Sequence, residues 1–150
     1  MDESGGAGVA EPLRVMVVDD HDLFRSGLRR LLDGDPDLTV IADARRGDEA
    51  VERAAELRPD VVVMDLNMPG MTGIEATRRI LEVSPDSAVL VLTINDADDD
   101  VLDAVLAGAS GYLLKDAKLP EIVGAIRAAA IGESMIAPRV AGSLLARLRR

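Results

Sequence analysis

The chain contains no cysteine and no tryptophan, and only one phenylalanine, one tyrosine and one histidine among its 150 residues. Without cysteine there is no disulfide framework and no thiolate zinc site, an absence compatible with the cytoplasm. With aromatics at 1% of the chain, a core has to be built from Val, Leu, Ile, Ala and Met. Little is left to stack on a flavin ring. Lysine occurs only as Lys115 and Lys118, and the formal net charge is −10. The chain therefore lacks the cationic face with which proteins neutralise nucleic-acid phosphates. Arginines do gather near the end, at Arg139, Arg147, Arg149 and Arg150, as a local property of the tail. No apolar run approaches the ~18–20 residues that span a bilayer, so no membrane association is expected. The opening stretch from Met1 to Glu11 is acidic and glycine-rich, unlike a signal peptide. Residues 1–12 read as a disordered lead.

What is present is a regular alternation of short apolar runs and amphipathic stretches, with 48% apolar and 29% charged residues overall, the composition of one ordinary globular domain. Strands are expected near 14–18, 38–42, 61–65, 88–92 and 111–114. The third and fourth are apolar throughout, as in parallel strands buried on both faces. Between them, Phe24, Leu28 and Leu31 make a helical stripe over 22–33. Ala50, Val51, Ala54 and Leu57 make one over 47–57, and Ile74, Ala76 or Thr77, Ile80 and Leu81 one over 73–83. Thr72 and Glu75 have capping-box spacing. Asp96 to Asp100 put acid at the start of the next helix, as the helix dipole favours. Pro120 suits the first turn of a helix over about 119–131. The pattern predicts an α/β domain over 13–131, a flavodoxin-like five-stranded parallel sheet of order 2-1-3-4-5 with helices on both faces. Gly132 to Pro138 then reads as a break. Arg139 to Arg150 read as a short helix with Val140, Leu144, Leu145 and Leu148 on its apolar side, too short to stand alone in water.

Four of the five strands end in a chemically active side chain. Asp19 and Asp20 follow the first, Asp65 closes the third, Thr93 the fourth and Lys115 the fifth. In the expected strand order these ends converge at the switch point between strands 1 and 3, where open α/β sheets bind ligands. Strand 2, which contributes nothing, falls at the edge. Adjacent carboxylates can stay ionised together if they share a cation. Mg²⁺ takes oxygen ligands, usually one or two carboxylates beside waters and phosphate oxygens. Asp19, Asp20 and Asp65, with the backbone carbonyl of Asn67, offer such a site. Asp65 keeps an oxygen free to attack phosphorus, an accepted form of covalent catalysis. Mg²⁺, Lys115 and the Thr93 hydroxyl would surround the transferring phosphoryl oxygens. Taken singly, an acidic turn, a helix cap and a surface ion pair would account for each residue. Four such residues at four equivalent strand ends are not accounted for in that way. The sole histidine, His21, beside the acid pair, is assigned a local structural role. Asn67 and Asn95, two residues beyond Asp65 and Thr93, flank the same point.

The segments 17–24 (VVDDHDLF), 63–70 (VMDLNMPG), 91–93 (VLT) and 107–116 (AGASGYLLKD) resemble the receiver domain of two-component response regulators. The wording GIEATRRI, AGASGYLLKDA and AIRAAAIGE is similar to the NarL/FixJ (LuxR-type) subfamily. The resemblance covers about residues 13–137. It implies that Asp65 accepts a phosphoryl group from a sensor histidine kinase with Mg²⁺ bound. It further implies that Asp19 and Asp20 are the acidic metal residues and Lys115 the site lysine, and that Thr93 and Tyr112 are the switch pair. Phosphorylation would change the face made by the fourth helix, fifth strand and fifth helix, and with it homodimerisation. The family's DNA contacts are made by a helix-turn-helix domain beyond a linker. Residues 132–150 read as that linker, ending before the effector domain. Two other readings compete with this one. A haloacid-dehalogenase-like phosphatase also uses an aspartyl nucleophile, but places it on the first strand with a second acid two residues on, where this chain has Asn67. A phosphorylation-independent interaction module sits poorly with an intact set of acids, Thr93 and Lys115.

Overall fold

The computed structural model describes residues 11–94 and 97–149, Asp98 by its backbone alone. Asn95, Asp96, Arg150 and most of the expected lead lie outside the described residues. Elements alternate in the order β1 (Leu13–Val18), α1 (Asp22–Asp33), β2 (Leu38–Ala44), α2 (Gly47–Leu57), β3 (Val61–Met64), α3 (Gly73–Val83), β4 (Ala88–Thr93), α4 (Asp98–Ala107), β5 (Gly111–Leu114), α5 (Leu119–Ala130), β6 (Met135–Ile136) and α6 (Pro138–Leu148). All strand pairs are parallel, in the order β2-β1-β3-β4-β5-β6. No helix among the described residues is long and apolar enough to cross a membrane.

β1, β3, β4 and β5 lack polar alternation because both faces are covered, whereas the edge strand β2 alternates buried and half-buried residues. Val15, Val17, Val61, Val63, Leu90 and Leu92 pack with Leu28 and Leu32 of α1 and with Ile122 and Ile126 of α5. Their neighbours Met16, Val18, Val62, Met64 and Val89 pack on the other side with Ala50 and Ala54 of α2 and Ala76 and Ile80 of α3. A third cluster joins Leu66, Val91, Tyr112 and Leu114 to Val101 and Ala104 of α4 and Val140 of α6. The period-2 geometry of a strand divides each apolar run between two helical layers.

The expected order holds, with three corrections. The sheet has six strands, not five. The stretch expected to be a plain break turns at Gly132, whose φ is +82°, and then lays Met135 and Ile136 beside Gly111 and Tyr112. A side chain at 111 would oppose this pairing, since a Cβ there would stand 2.8 Å from the Met135 carbonyl oxygen and 2.9 Å from Leu90 Cδ1. On α1 the buried positions are Arg25, Leu28 and Leu32, while Leu31 is 55% exposed. The helix is thus rolled one position from the expected stripe, because a buried arginine occupies that face. At α3 only half of the capping box forms. Thr72 Oγ accepts from Glu75 N at 3.1 Å, and the Glu75 carboxylate instead takes Arg78 and Arg79, at 2.6 and 2.8 Å. The chain following the break packs on the domain itself, through Val140 and Leu144, leaving Leu145 and Leu148 exposed.

Gly111→Ala is expected to dislodge β6 at a cost of about 1–3 kcal/mol, the usual penalty of overpacking. A lowered urea midpoint checks it; an unchanged midpoint would show that β6 needs no close approach.

Candidate functional site

Register brings the site together. Val18 pairs with Met64, Met64 with Val91, and Thr93 with Leu114. The residues just beyond these strand ends therefore meet at one carboxyl edge. Asp19 N donates to Ala44 O at 3.0 Å, Asp65 N to Val18 O at 3.0 Å and Lys115 N to Thr93 O at 2.9 Å. The backbone ladder thus continues one residue past the strands and aims each side chain. Asp19 and Asp65 are each only 2% exposed and Thr93 is fully buried.

Lys115 Nζ lies 2.7 Å from Asp19 Oδ2 and 3.5 Å from Asp65 Oδ2, and 4.4 Å from the centre of the Phe24 ring. Its charge is directed mainly at Asp19. The other oxygen of Asp65 accepts from Asn67 N at 3.3 Å, and Asn67 Nδ2 reaches Thr93 Oγ1 at 3.4 Å. Asp19 Oδ1 accepts from His21 N at 2.8 Å. The His21 ring sits 3.4 Å from both Asp19 and Asp20 and is largely exposed. Tyr112, named with Thr93 as a switch residue, is buried one strand away in the cluster with Val91 and Val101.

Burial pushes the Asp65 carboxyl above the usual carboxylate range, and the charge of Asp19 pushes it further. Lys115, the Asn67 N–H and the Thr93 hydroxyl pull the other way. An anionic carboxylate held at a cost beside a second one is a site short of positive charge. Ligand atoms of Asp19, Asp20, His21 and Asp65 all lie within 4.8 Å of one another, and Asp20 Oδ1 is buried with no hydrogen-bond partner. That orphaned oxygen and the three carboxylates of the group suit a hard divalent cation. Asp65 also opens onto a cleft of about 340 Å³ walled by Leu23, Phe24, Asn67 and Ile94, so its reactive edge can be reached.

Three supporting residues escaped the sequence reading. Arg25 donates to Asp19 O at 2.7 Å and to Asp22 Oδ1 at 2.8 Å, fixing the loop that carries the acid pair. Its signal was a charge at i, i+3, i+7 spacing with Leu28 and Leu32. Phe24 gives Lys115 a ring face to lie on, a cation–π contact. Gly73 lets α3 start against the Asp65 backbone: a Cβ there would overlap Asp65 O and come within 2.6 Å of Leu66 Cα. Only the fold reveals that approach.

Comparison with known proteins follows this geometry. Residues 15–127 match the family described as the response regulator receiver domain. The transcriptional regulatory protein LiaR of Bacillus subtilis (strain 168) is 48% identical over 137 residues, 91% of this chain and 65% of that protein. The nitrate/nitrite response regulator protein NarL of Escherichia coli (strain K12) is 37% identical over 139 residues, 93% and 64% of the two. The crystal structure of a LuxR-family two-component response regulator from Aurantimonas sp. SI85-9A1 superposes with a TM-score of 0.86 at 38% identity, covering 93% of this chain and all of that one. The chain spans about two thirds or less of the length of the curated relatives it matches.

Two outcomes follow. In metal-free buffer Asp65→Asn is expected to be more stable than the parent by on the order of 1 kcal/mol at neutral pH, since it removes a buried charge beside Asp19. The raised carboxyl means the folded state holds this proton more tightly than the unfolded chain does. The parent's deficit is therefore full above the folded pKa and fades as pH falls through it toward the ordinary carboxylate range. Urea denaturation of both proteins across that range checks the sign, and a gap that widens on acidification would refute it. Gly73→Ala is expected to cost about 1–3 kcal/mol and to displace Asp65 from Lys115, seen as altered backbone amide shifts of Asp65 to Asn67.

Proposed function

The chain belongs to the receiver-domain family of two-component response regulators, of the LuxR/NarL type, and from that membership we propose that it is a phosphorylation switch centred on Asp65. The carrying observation is the placement of Asp65: buried, raised in pKa, within reach of Lys115 and open to a cleft. A sensor histidine kinase is the proposed donor, and the phosphorus–nitrogen bond of its phosphohistidine breaks as an Asp65 oxygen bonds to phosphorus. Asp19, Asp20, Asp65 and the backbone carbonyl of Asn67 are the proposed holders of Mg²⁺. When bound, that ion neutralises the carboxylates and the phosphoryl oxygens.

The other roles follow from position. Lys115, now 2.7 Å from Asp19, is free to share its charge with a phosphoryl oxygen once a divalent cation satisfies the acids. Thr93, whose hydroxyl meets the Asp65 carboxylate and accepts from Asn67 Nδ2 at 3.4 Å, can turn toward a phosphoryl oxygen carried by Asp65. The change at Thr93 is relayed to Tyr112 and so to the face formed by α4, β5 and α5, a two-state element that a phosphate can bias. Coupling of this kind is typically ~1–3 kcal/mol. The proposed readouts are homodimerisation and, through a DNA-binding domain outside these residues, control of transcription in the cytoplasm. The protein is proposed to turn over only its own aspartyl phosphate and no free substrate. Location of Asp65 after β3, with Asn67 two residues on, does not favour the phosphatase alternative.

Incubation with Mg²⁺ and acetyl phosphate, followed by intact mass, tests the assignment. One labile HPO₃ adduct is expected on the parent and none on Asp65→Asn, and chelation of the metal should abolish it. A stable adduct that persists on the Asn variant would move the acceptor elsewhere.

A further inference from the structure

The face of α4 and β5 that the switch would alter is already covered by the chain's own last helix. Val140 of α6 is fully buried, in one apolar cluster with Tyr112, Leu114, Val101 and Ala104, and Leu144 packs beside it. Ala137, the residue capping the start of α6, donates its N–H to the Tyr112 carbonyl at 3.1 Å. Two ion pairs hold the ends. Arg139 reaches Asp116 at 3.4 Å, next to Lys115, and Arg147 reaches Asp99 on α4 at 2.6 Å. We propose that α6 is an intramolecular latch, docked on α4 and β5 while Asp65 is unmodified and released when Asp65 carries a phosphoryl group.

The proposal rests on the reading of Asp65 as acceptor and adds how its output is gated. Three connections run from the site to the latch. Leu66, the residue after Asp65, belongs to the cluster that buries Val140. Thr93 pairs with Leu114 in the same cluster, and Tyr112 lies two residues before it. Any shift of Tyr112 withdraws a packing partner from Val140 and moves the carbonyl that anchors Ala137. Lys115, drawn from Asp19 toward a phosphoryl oxygen, carries with it Asp116, the partner of Arg139. Interlocked apolar packing has discrete arrangements, so these small displacements favour undocking over gradual deformation. A helix of 11 residues with two ion pairs, largely exposed on the acid side, and one fully buried side chain is weakly enough held to be released. Isolated helices of this length are marginal in water, so release is expected to unwind it.

Amide hydrogen exchange of the whole chain, with and without Mg²⁺ and beryllofluoride, is the test. Exchange in 138–148 is expected to rise about fivefold or more while the segment containing Asp65 slows. Slowing at Asp65 with α6 unchanged or more protected overturns the latch and leaves the acceptor reading standing. No change at either segment overturns both. Val140→Asp places a carboxylate at the buried contact and is expected to expose 138–148 without beryllofluoride. By reciprocity it should tighten beryllofluoride binding by a matching factor. The surface variant Arg147→Glu should do the same more weakly, and serves where Val140→Asp does not fold. Undocking with no gain in affinity would show that α6 and Asp65 are uncoupled, and would end the proposal.

Discussion

Asp19 and Asp65 occupy adjacent strand ends because β1 and β3 pair in parallel with Val18 against Met64, and nearly everything else about this molecule answers that crowding of negative charge. Both carboxylates are buried, and like charges in that setting raise the cost of ionisation. Lys115 meets part of the cost from the end of β5, at 2.7 Å from Asp19. Backbone N–H groups of His21 and Asn67 meet more of it. The remainder leaves the pair short of positive charge, the feature on which the proposed phosphoryl acceptance rests.

Parallel pairing sets where this tension can be placed. Every strand runs the same way, so every strand end at this edge faces the same solvent boundary, and each βα turn can present one side chain there. Arg25 and Gly73 show how closely the surroundings follow. One clamps the carbonyl of Asp19 from α1, and the other permits α3 to begin directly against the Asp65 backbone. Neither faces the cleft, and both determine where a carboxylate sits.

The strands and their reactive ends were legible in the sequence because a buried parallel strand is a continuous apolar run, and a charge or hydroxyl at its end stands out. Lys115 lies 2.7 Å from Asp19 and 3.5 Å from Asp65, and Thr93 meets Asn67 at 3.4 Å beside them. Other features depend on facts no local pattern carries. The roll of α1 toward Leu32 follows from Arg25 being buried against Asp19, a tertiary contact that overrides the apolar stripe. Strand β6 is two residues long and exists because Gly111 leaves room for it. Glu75 has the spacing of a capping partner and finds arginines within its own helix instead. The helix after Ala137 was legible as amphipathic, but its partner was not, since Val140 belongs to a cluster whose other buried residues come from β4, α4, β5 and the loop after β3.

The side-chain contacts that join one strand end to another in the site are long-range. Lys115 and Asp65 are separated by 50 residues of chain, and Asn67 and Thr93 by 26. A fold dominated by such pairings forms late and cooperatively, after loop closure has been compensated by packing. No fragment that ends before Lys115 contains the cation that opposes Asp19, and no collapsed intermediate with β3 and β4 unpaired can bring Thr93 to Asn67. On the proposed reading the acceptor site is therefore incomplete in nascent or misfolded chains, and competence to receive a signal is a property of the finished sheet, so that a molecule unable to transmit a message is equally unable to be given one.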